Sequence, residues 1–217
     1  IAAPAGQRVP EAGSSERRVR CRQRDAGVPS LNAPRSGAVE PLARRIDHLA
    51  VRKPDAVAFR CGEAWLSWAD YATRSESLAA ELAQLGLESG ERVAVLLPDG
   101  PDVHVAYVAC EKAGPVVLGI GPRAGSGEIR HLVQKAGASA LISHARQGDL
   151  DLCALYRELA RDGLTLRHHL VASGPLGEGG RPLAGAPART DFVSPRRLGV
   201  EELFLLNSTS GTTGLPK

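Results

Sequence analysis

The sequence contains no methionine, few aromatic residues and no closely spaced cysteines. Because the chain begins at Ile1 and has no initiator, we expect sequence to be missing before it. The four cysteines lie tens of residues apart and form no CxxC pair, so no zinc site or redox motif is indicated. Cys61 and Cys110 lie in apolar runs, where we expect buried thiols in a reducing cytoplasm.

Long apolar runs are also missing. No uninterrupted stretch reaches the roughly 18 residues that a membrane-spanning helix needs, so we expect no transmembrane segment. The net charge is only +3, and the basic residues are mostly arginine, a bias that codon usage explains as readily as physical selection. We therefore predict no nucleic-acid partner. With 24% charged and 4% aromatic residues, the composition is typical of a soluble α/β protein.

Residues 1–41 predict a disordered tail. Proline recurs through the segment, serine and glycine fill the gaps, and five arginines fall between positions 17 and 24. Such a composition offers little apolar surface to bury. A basic arm for an acidic partner is the alternative interpretation.

Residues 42–217 alternate between helical and strand patterns, and we assign them to one domain. The strand-like segments are 56–61, 65–66, 92–97, 116–120, 140–143, 170–172 and 203–206. The helix-like segments are 42–53, 67–85, 101–112, 126–136 and 150–161. Because helices and uninterrupted apolar strands alternate along the chain, we predict an open, doubly wound, mostly parallel sheet with helices on both faces.

Three local features carry further expectations. Leu42, Ile46, Leu49 and Ala50 fall at helical spacing, so we expect them to form the apolar face of the first helix. Trp65 and Trp68 are interpreted as packing residues rather than a stacking platform. Residues 173–197 are rich in Gly, Pro and Arg with little periodicity, which predicts a long surface loop.

The last ten residues are hydroxyls and glycines closed by a lysine. They are Ser208, Thr209, Ser210, Gly211, Thr212, Thr213, Gly214, Leu215, Pro216 and Lys217. Glycines let backbone N–H groups approach a ligand closely, and inward N–H groups form an anion-binding concavity. The strand before the run would hold it at the edge of the sheet where ligands bind. We therefore predict a phosphate-binding loop rather than a flexible linker.

Two nucleotide-binding alternatives fit less well. A Walker A loop needs Gly-Lys in sequence, whereas Pro216 precedes Lys217. Residues 119–124 match GxGxxA, but Pro122 interrupts the turn and no acidic residue ends the next strand. We therefore assign neither a Walker A loop nor a dinucleotide site to this chain.

Two possible cation sites are also weak. His168 and His169 are adjacent on a strand, where neighbouring side chains point to opposite faces. Asp149 and Asp151 are interpreted as caps of the helix that follows them. We predict no metal site in this chain.

The segment Ser208–Lys217 resembles the AMP-binding signature of the adenylate-forming superfamily, which includes acyl-CoA synthetases, luciferases and the adenylation domains of peptide synthetases. The resemblance extends over residues 42–217. It is carried further by Leu66-Ser67-Trp68, by residues 78–82 and 85–87, by Gly90–Val95, by Ala113–Val117 and by Pro122-Arg123.

The resemblance implies an ATP-dependent ligase. It would activate a carboxylic acid as an acyl-adenylate, release pyrophosphate and then transfer the acyl group to CoA, with Mg²⁺ accompanying ATP. Ser208 opens the loop, Gly211 and Gly214 would permit its shape, and Lys217 would bind phosphate charge. The hydroxyl donors would be Thr209, Ser210, Thr212 and Thr213.

The same resemblance implies that the N-terminal subdomain of this fold is incomplete here. The adenine and acyl pockets, the hinge and the catalytic lysine of the family follow the loop, so we assign no catalytic residue and expect the chain alone to be inactive. The acid is left open among fatty, aromatic, alicyclic and amino acids. The alternatives are a non-catalytic phosphate-binding α/β module and an amino-acid adenylation domain that loads a carrier protein.

Overall fold

The computed structural model describes residues 40–183 and 202–207. The helices are α1 (Leu42–Arg52), α2 (Trp68–Gln84), α3 (Pro101–Ala113), α4 (Ser126–Ala136) and α5 (Leu152–Arg161). The strands are β1 (Val57–Cys61), β2 (Ala64–Ser67), β3 (Arg92–Leu96), β4 (Val116–Gly119), β5 (Ala138–Ser143), β6 (Arg146–Gln147), β7 (Leu150–Asp151), β8 (His168–Val171), β9 (Gly180–Pro182) and β10 (Leu205–Asn207).

The main sheet has six strands in the order β10-β4-β3-β5-β8-β9. Every neighbouring pair in it is parallel. Two separate antiparallel pairs, β1 with β2 and β6 with β7, lie outside this sheet. The open parallel α/β sheet predicted from the alternation of elements is confirmed.

Alternate residues of the central strand β3 face two different cores. Val93 and Val95 pack with buried residues of α1, α2 and α3. Ala94 and Leu96 pack with buried residues of α4 and α5. Helices therefore cover both faces of the sheet, and this explains why β3 reads as a continuous apolar run.

Helix ends follow the expected chemistry. The Ser67 hydroxyl accepts a hydrogen bond of 3.0 Å from the backbone N–H of Asp70, which caps α2. Helix α3 begins with Pro101 in its first turn and ends before Gly114, whose φ of 105° is a conformation that L side chains rarely adopt. These caps fix where the chain turns toward and away from the sheet.

One residue of the face expected for α1, Leu42, lies outside the core, whereas Ile46 is buried and Leu49 and Ala50 are partly buried. Leu42 is 48% exposed, and the buried residues of α1 are Ala43 and Ile46. The backbone N–H of Ala43 donates a hydrogen bond of 3.0 Å to the buried carboxylate of Glu111 on α3. Ala43, rather than Leu42, lies on the core side of the first turn.

Two expectations about β1 and β2 were wrong. Cys61 is exposed and Trp65 is 51% exposed, because among the described strands β1 and β2 pair only with each other and leave one side of the ribbon to solvent. Cys110 is fully buried as expected, and Trp68 packs against the core beside Tyr71. The thiol and the indole of the hairpin therefore lie outside the core.

Two short elements were not predicted. Strand β7 of the β6–β7 pair occupies the first two residues of the helix expected at 150–161. That helix begins at Leu152 because the Asp151 carboxylate caps it through the N–H of Ala154 at 2.9 Å. Strand β9 pairs with β8 inside the segment predicted to be a loop. Residues 184–201, and residues 1–39 of the predicted tail, lie outside the described residues.

Candidate functional site

The carboxyl ends of β3 and β4 define a crevice at one edge of the sheet. After β3 the chain enters α3, which packs with the core on one face. After the neighbouring strand β4 it enters α4, which packs with the core on the other face. Adjacent strands whose connections leave toward opposite faces open a crevice between them, and ligands of open α/β sheets bind there.

Strand β10 runs beside β4 and ends at this crevice. Leu205, Leu206 and Asn207 pair in parallel with Val117, Leu118 and Gly119, respectively. The backbone N–H of Val117 also donates a hydrogen bond of 2.9 Å to the carbonyl of Phe204. The strand predicted at 203–206 is thus present with shifted bounds, and residue 208 follows directly from the carboxyl edge of the sheet.

The predicted phosphate-binding residues themselves lie outside the described residues. They are Ser208, Thr209, Ser210, Gly211, Thr212, Thr213, Gly214 and Lys217. Their assignment to ATP phosphates therefore stays a prediction. What the structure adds is the position of Asn207, the residue from which this segment departs.

Gly119 is a point of close approach beside Asn207. A Cβ atom at Gly119 would lie 2.7 Å from the Tyr107 hydroxyl oxygen and 2.9 Å from Oδ1 of Asn207. Real Cβ atoms essentially never have neighbours this near, so the hydrogen of glycine is what lets both polar groups sit there. Burial raises the pKa of Tyr107, which keeps its hydroxyl protonated.

The start of α3 contributes further polar groups to this edge. The ring of His104 packs 4.1 Å from that of Phe59, centroid to centroid. Burial lowers the pKa of His104, although the charge of Asp99 opposes that change. Sequence reasoning missed these groups because only the fold brings them to one edge.

Two cavities flank the sheet at its opposite edges. One of about 680 Å³ lies at the carboxyl edge, between the loop after β4 and the β6–β7 hairpin. The other, of about 380 Å³, lies at the amino edge around Glu91. The Glu91 carboxylate there already accepts hydrogen bonds from Ser139 and Arg167 at 2.7 and 2.6 Å. That network is satisfied internally, so the carboxyl edge is the better candidate for a ligand.

The dinucleotide alternative finds no support at residues 119–124. Helix α4 begins only at Ser126, whereas the dinucleotide fingerprint requires a helix that starts directly in the glycine turn. Strand β5 ends at Ser143, which is not acidic.

The two pairs of residues considered as cation ligands, His168 with His169 and Asp149 with Asp151, do not form binding sites in the structure. His169 is fully buried and His168 is only partly buried. Asp151 caps α5 as expected, whereas Asp149 does not cap it and instead offers its backbone carbonyl to Arg146 at 3.1 Å. Within residues 40–183 and 202–207, no three His, Cys, Asp or Glu side chains come together as a metal site would require.

The chain is thus an open parallel α/β protein, and its candidate ligand site is at the carboxyl ends of β3, β4 and β10. A family model described as AMP-binding enzyme matches residues 46–217. The chain belongs to this family of AMP-binding enzymes. The match includes every residue of the predicted phosphate loop.

Individual relatives agree with this family. The chain is 32% identical over 187 residues to a salicylyl-CoA synthase / salicylate adenylyltransferase from Streptomyces sp, covering 82% of this chain and 33% of that protein. It is 32% identical over 177 residues to triostin synthetase I from Streptomyces triostinicus, covering 82% and 32%.

Among solved structures, apo MbtA from Mycobacterium smegmatis matches with a TM-score of 0.68 at 27% identity, covering 83% of this chain and 33% of that one. The chain therefore spans about a third of the length of the proteins it matches. In the part of the chain that the structure describes, no helix has the length and apolar character to cross a membrane.

Proposed function

We propose that the protein containing this segment is an ATP-dependent carboxylic acid ligase. It joins an acid to AMP with release of pyrophosphate and then transfers the acyl group to the thiol of CoA. The observation that carries this proposal is the family match through residue 217, together with a strand that leads into the matched loop at the ligand-binding edge of the sheet.

The loop would act on the phosphates of ATP. Its hydroxyls, its backbone N–H groups and the ammonium of Lys217 all donate hydrogen bonds, and none of them carries negative charge. A hydrogen bond to a charged group contributes roughly 1.5–3 kcal/mol, so several of them would hold a polyphosphate firmly. The same groups would stabilise the charge that develops on the departing pyrophosphate.

Three further parts of the proposal rest on the family alone. Mg²⁺ would accompany ATP and neutralise phosphate charge, with ligands that we do not assign to residues of this chain. CoA is proposed as the acceptor and the cytoplasm as the location, because ATP and CoA are both present there. The acid is open, and salicylate is the first to test because one relative is named for it.

The test is carboxylate-dependent exchange of labelled pyrophosphate into ATP, using the protein as its gene encodes it. Salicylate, other aromatic acids, fatty acids and amino acids would be supplied in turn. We expect exchange with one class of acid. Lys217→Gln should lower the rate roughly 10- to 100-fold, as loss of one such charged bond predicts. Lys135→Gln, at an exposed lysine in the last turn of α4, is the matched control.

A second candidate is an amino-acid adenylation domain that loads a carrier protein, the alternative that the sequence leaves open. Exchange with amino acids alone, and no CoA thioester among the products, would select it. A non-catalytic module would bind ATP without exchanging pyrophosphate in the presence of any acid. That last result would contradict the ligase proposal.

A further inference from the structure

Helix α1 is held to the domain by two consecutive residues of α3. The Glu111 carboxylate accepts a hydrogen bond of 3.0 Å from the backbone N–H of Ala43, in the first turn of α1. The ammonium of Lys112, which is 7% exposed, lies 2.7 Å from the carboxylate of Asp47 one turn later. Because these contacts and the buried side chain of Ile46 lie on one side of α1, they determine which side of the helix faces solvent.

The solvent-facing side of α1 is rich in cations. Its exposed residues are Arg44, Arg45, His48, Val51 and Arg52, and the helix ends in the exposed cap residue Lys53. We call this surface the outer face of α1. Within residues 40–183 and 202–207, none of its guanidinium or ammonium groups has a carboxylate partner. The carboxylate of Asp47 is already bonded to Lys112, so it does not neutralise these cations.

Two of these cations stand where they disfavour the helix. Arg44 and Arg45 lie in the first turn of α1, and no acidic residue accompanies them there. The first turn of a helix has a partial positive charge, so cations at that end cost stability, whereas Arg52 at the other end is favourable. Helix stability therefore does not explain Arg44 and Arg45. An anionic partner would offset their repulsion.

The shape of the outer face indicates what kind of partner fits. From Arg44 to Lys53 it extends over about 14 Å of helix, and neither of the cavities at the two sheet edges is lined by α1. A small anion could therefore reach only one end of it. Val51 lies between the two ends and is 85% exposed, more than any other large apolar side chain among the described residues.

We propose that the outer face of α1 binds the surface of a membrane that contains anionic lipids. The cations lie on the phosphate headgroups, and Val51 lies at the boundary with the acyl chains, which accepts a single apolar side chain without a matching pocket. The helix lies along the surface. This inference goes beyond the proposed ligase activity and does not depend on it, because the binding requires neither ATP nor an acid.

The experiment measures co-sedimentation of the protein, as its gene encodes it, with lipid vesicles. Vesicles of phosphatidylcholine alone are compared with vesicles of phosphatidylcholine and phosphatidylglycerol. We expect binding to the anionic vesicles only, and we expect it to weaken as salt is added. Arg44→Gln with Arg52→Gln should lower the partition coefficient about 25-fold, because each basic residue near an anionic surface contributes about fivefold.

The matched control is Lys135→Gln with Arg161→Gln. It removes the same amount of charge at exposed residues in the last turns of α4 and α5. These helices cover the opposite face of the sheet from α1, so the control should change the partition coefficient less than about twofold. Arg44→Lys with Arg52→Lys keeps the charge and should bind as the wild type does.

A fluorescent variant tests the placement of Val51. Val51→Trp puts an indole at the centre of the outer face, and its emission should shift to shorter wavelength when anionic vesicles are added, beyond any shift of the wild type. Polyglutamate, an acidic polymer without an apolar phase, should produce no such shift. The comparison therefore distinguishes a lipid surface from an acidic protein.

Three results would overturn the inference. They are equal losses of binding in the two double glutamine variants, equal binding of the wild type to neutral and anionic vesicles, and binding to polyglutamate without binding to anionic vesicles. The last result would identify an acidic protein as the partner of α1. Since none of these measurements involves pyrophosphate exchange, each leaves the ligase proposal standing.

Discussion

The Nε2 atom of His169 lies 2.8 Å from the hydroxyl oxygen of Ser143, across the pairing of β8 with β5. That hydroxyl donates its only proton to the carbonyl of His144 at 2.7 Å, so Nε2–H must be the donor to Ser143. Nδ1 of His169 is buried and has no hydrogen-bond partner among the described residues. A bare nitrogen is tolerable there, whereas a second N–H with a positive charge is not.

The stability of the domain should therefore fall in mild acid. Burial lowers the pKa of His169 from 6.5 to about 4, with the charge of Asp151 opposing. The unfolded chain then binds the proton more readily than the folded one. The contribution of His169 is complete above pH 6.5 and disappears as the pH falls toward 4, a change of roughly 3 kcal/mol.

Urea unfolding across this pH range checks that prediction. His169→Gln keeps an N–H donor for Ser143 but cannot titrate. We expect the slope between pH 6.5 and 4 to be shallower in this variant than in the wild type. Identical slopes in the two proteins would show that His169 does not control acid sensitivity.

Glu111 should have the opposite pH dependence. Glu111 is 5% exposed, and burial raises the pKa of its carboxyl above 4.5 although the N–H groups of Ala43 and Leu42 oppose the change. A raised folded pKa contributes stability below pH 4.5, and that contribution is lost as the pH rises through the folded value.

Glu111→Gln isolates this effect because it keeps an oxygen acceptor for Ala43 and removes the titration. We expect the wild type to lose unfolding free energy relative to Glu111→Gln as the pH is raised from 4 to 7. Glu111→Ala should be the least stable of the three at every pH, because it leaves the buried N–H of Ala43 without its acceptor. A constant difference between wild type and Glu111→Gln would contradict the assignment.

A comparison of alanine variants at Gly114 and Gly163 should distinguish the cost of backbone strain from the cost of steric crowding. Both have positive φ, at 105° and 76°, so alanine is strained at either position by about 1–2 kcal/mol. Only at Gly114 would the new Cβ also press on a neighbour, at 3.3 Å from Ser89. Gly114→Ala should therefore cost about 1 kcal/mol more than Gly163→Ala in denaturant unfolding. If the two variants lose the same unfolding free energy, Ser89 moves away from the new methyl group at no cost, and the prediction is wrong.

Much of the fold could be predicted because local pattern and tertiary packing agree. The apolar run of β3 has cores on both of its faces, and Pro101 and Gly114 mark the ends of α3. The failures have a common physical cause. Cys61 and Trp65 have strand-like neighbours, but whether such a strand is covered depends on elements distant in sequence. Strand β9 likewise exists only through its pairing with β8.

The candidate site was predictable to a smaller extent. The hydroxyl and glycine run after β10 carries its chemistry in the sequence itself, and its parent strand was expected there. The meeting of Tyr107, Gly119 and Asn207 was not foreseen, because it depends on the parallel register of β10 with β4. No spacing rule in the sequence relates a residue in the middle of one helix to a strand end so much later in the chain.

The proposal that the protein containing this segment activates a carboxylic acid as its adenylate is best tested by looking for that product. The protein as its gene encodes it is mixed with MgATP and the acid that supports exchange, without CoA, and the quenched mixture is analysed by mass spectrometry. We expect acyl-AMP and pyrophosphate in equal amounts, with no ADP. Formation of ADP and phosphate, or ATP left intact with every acid supplied, would contradict it.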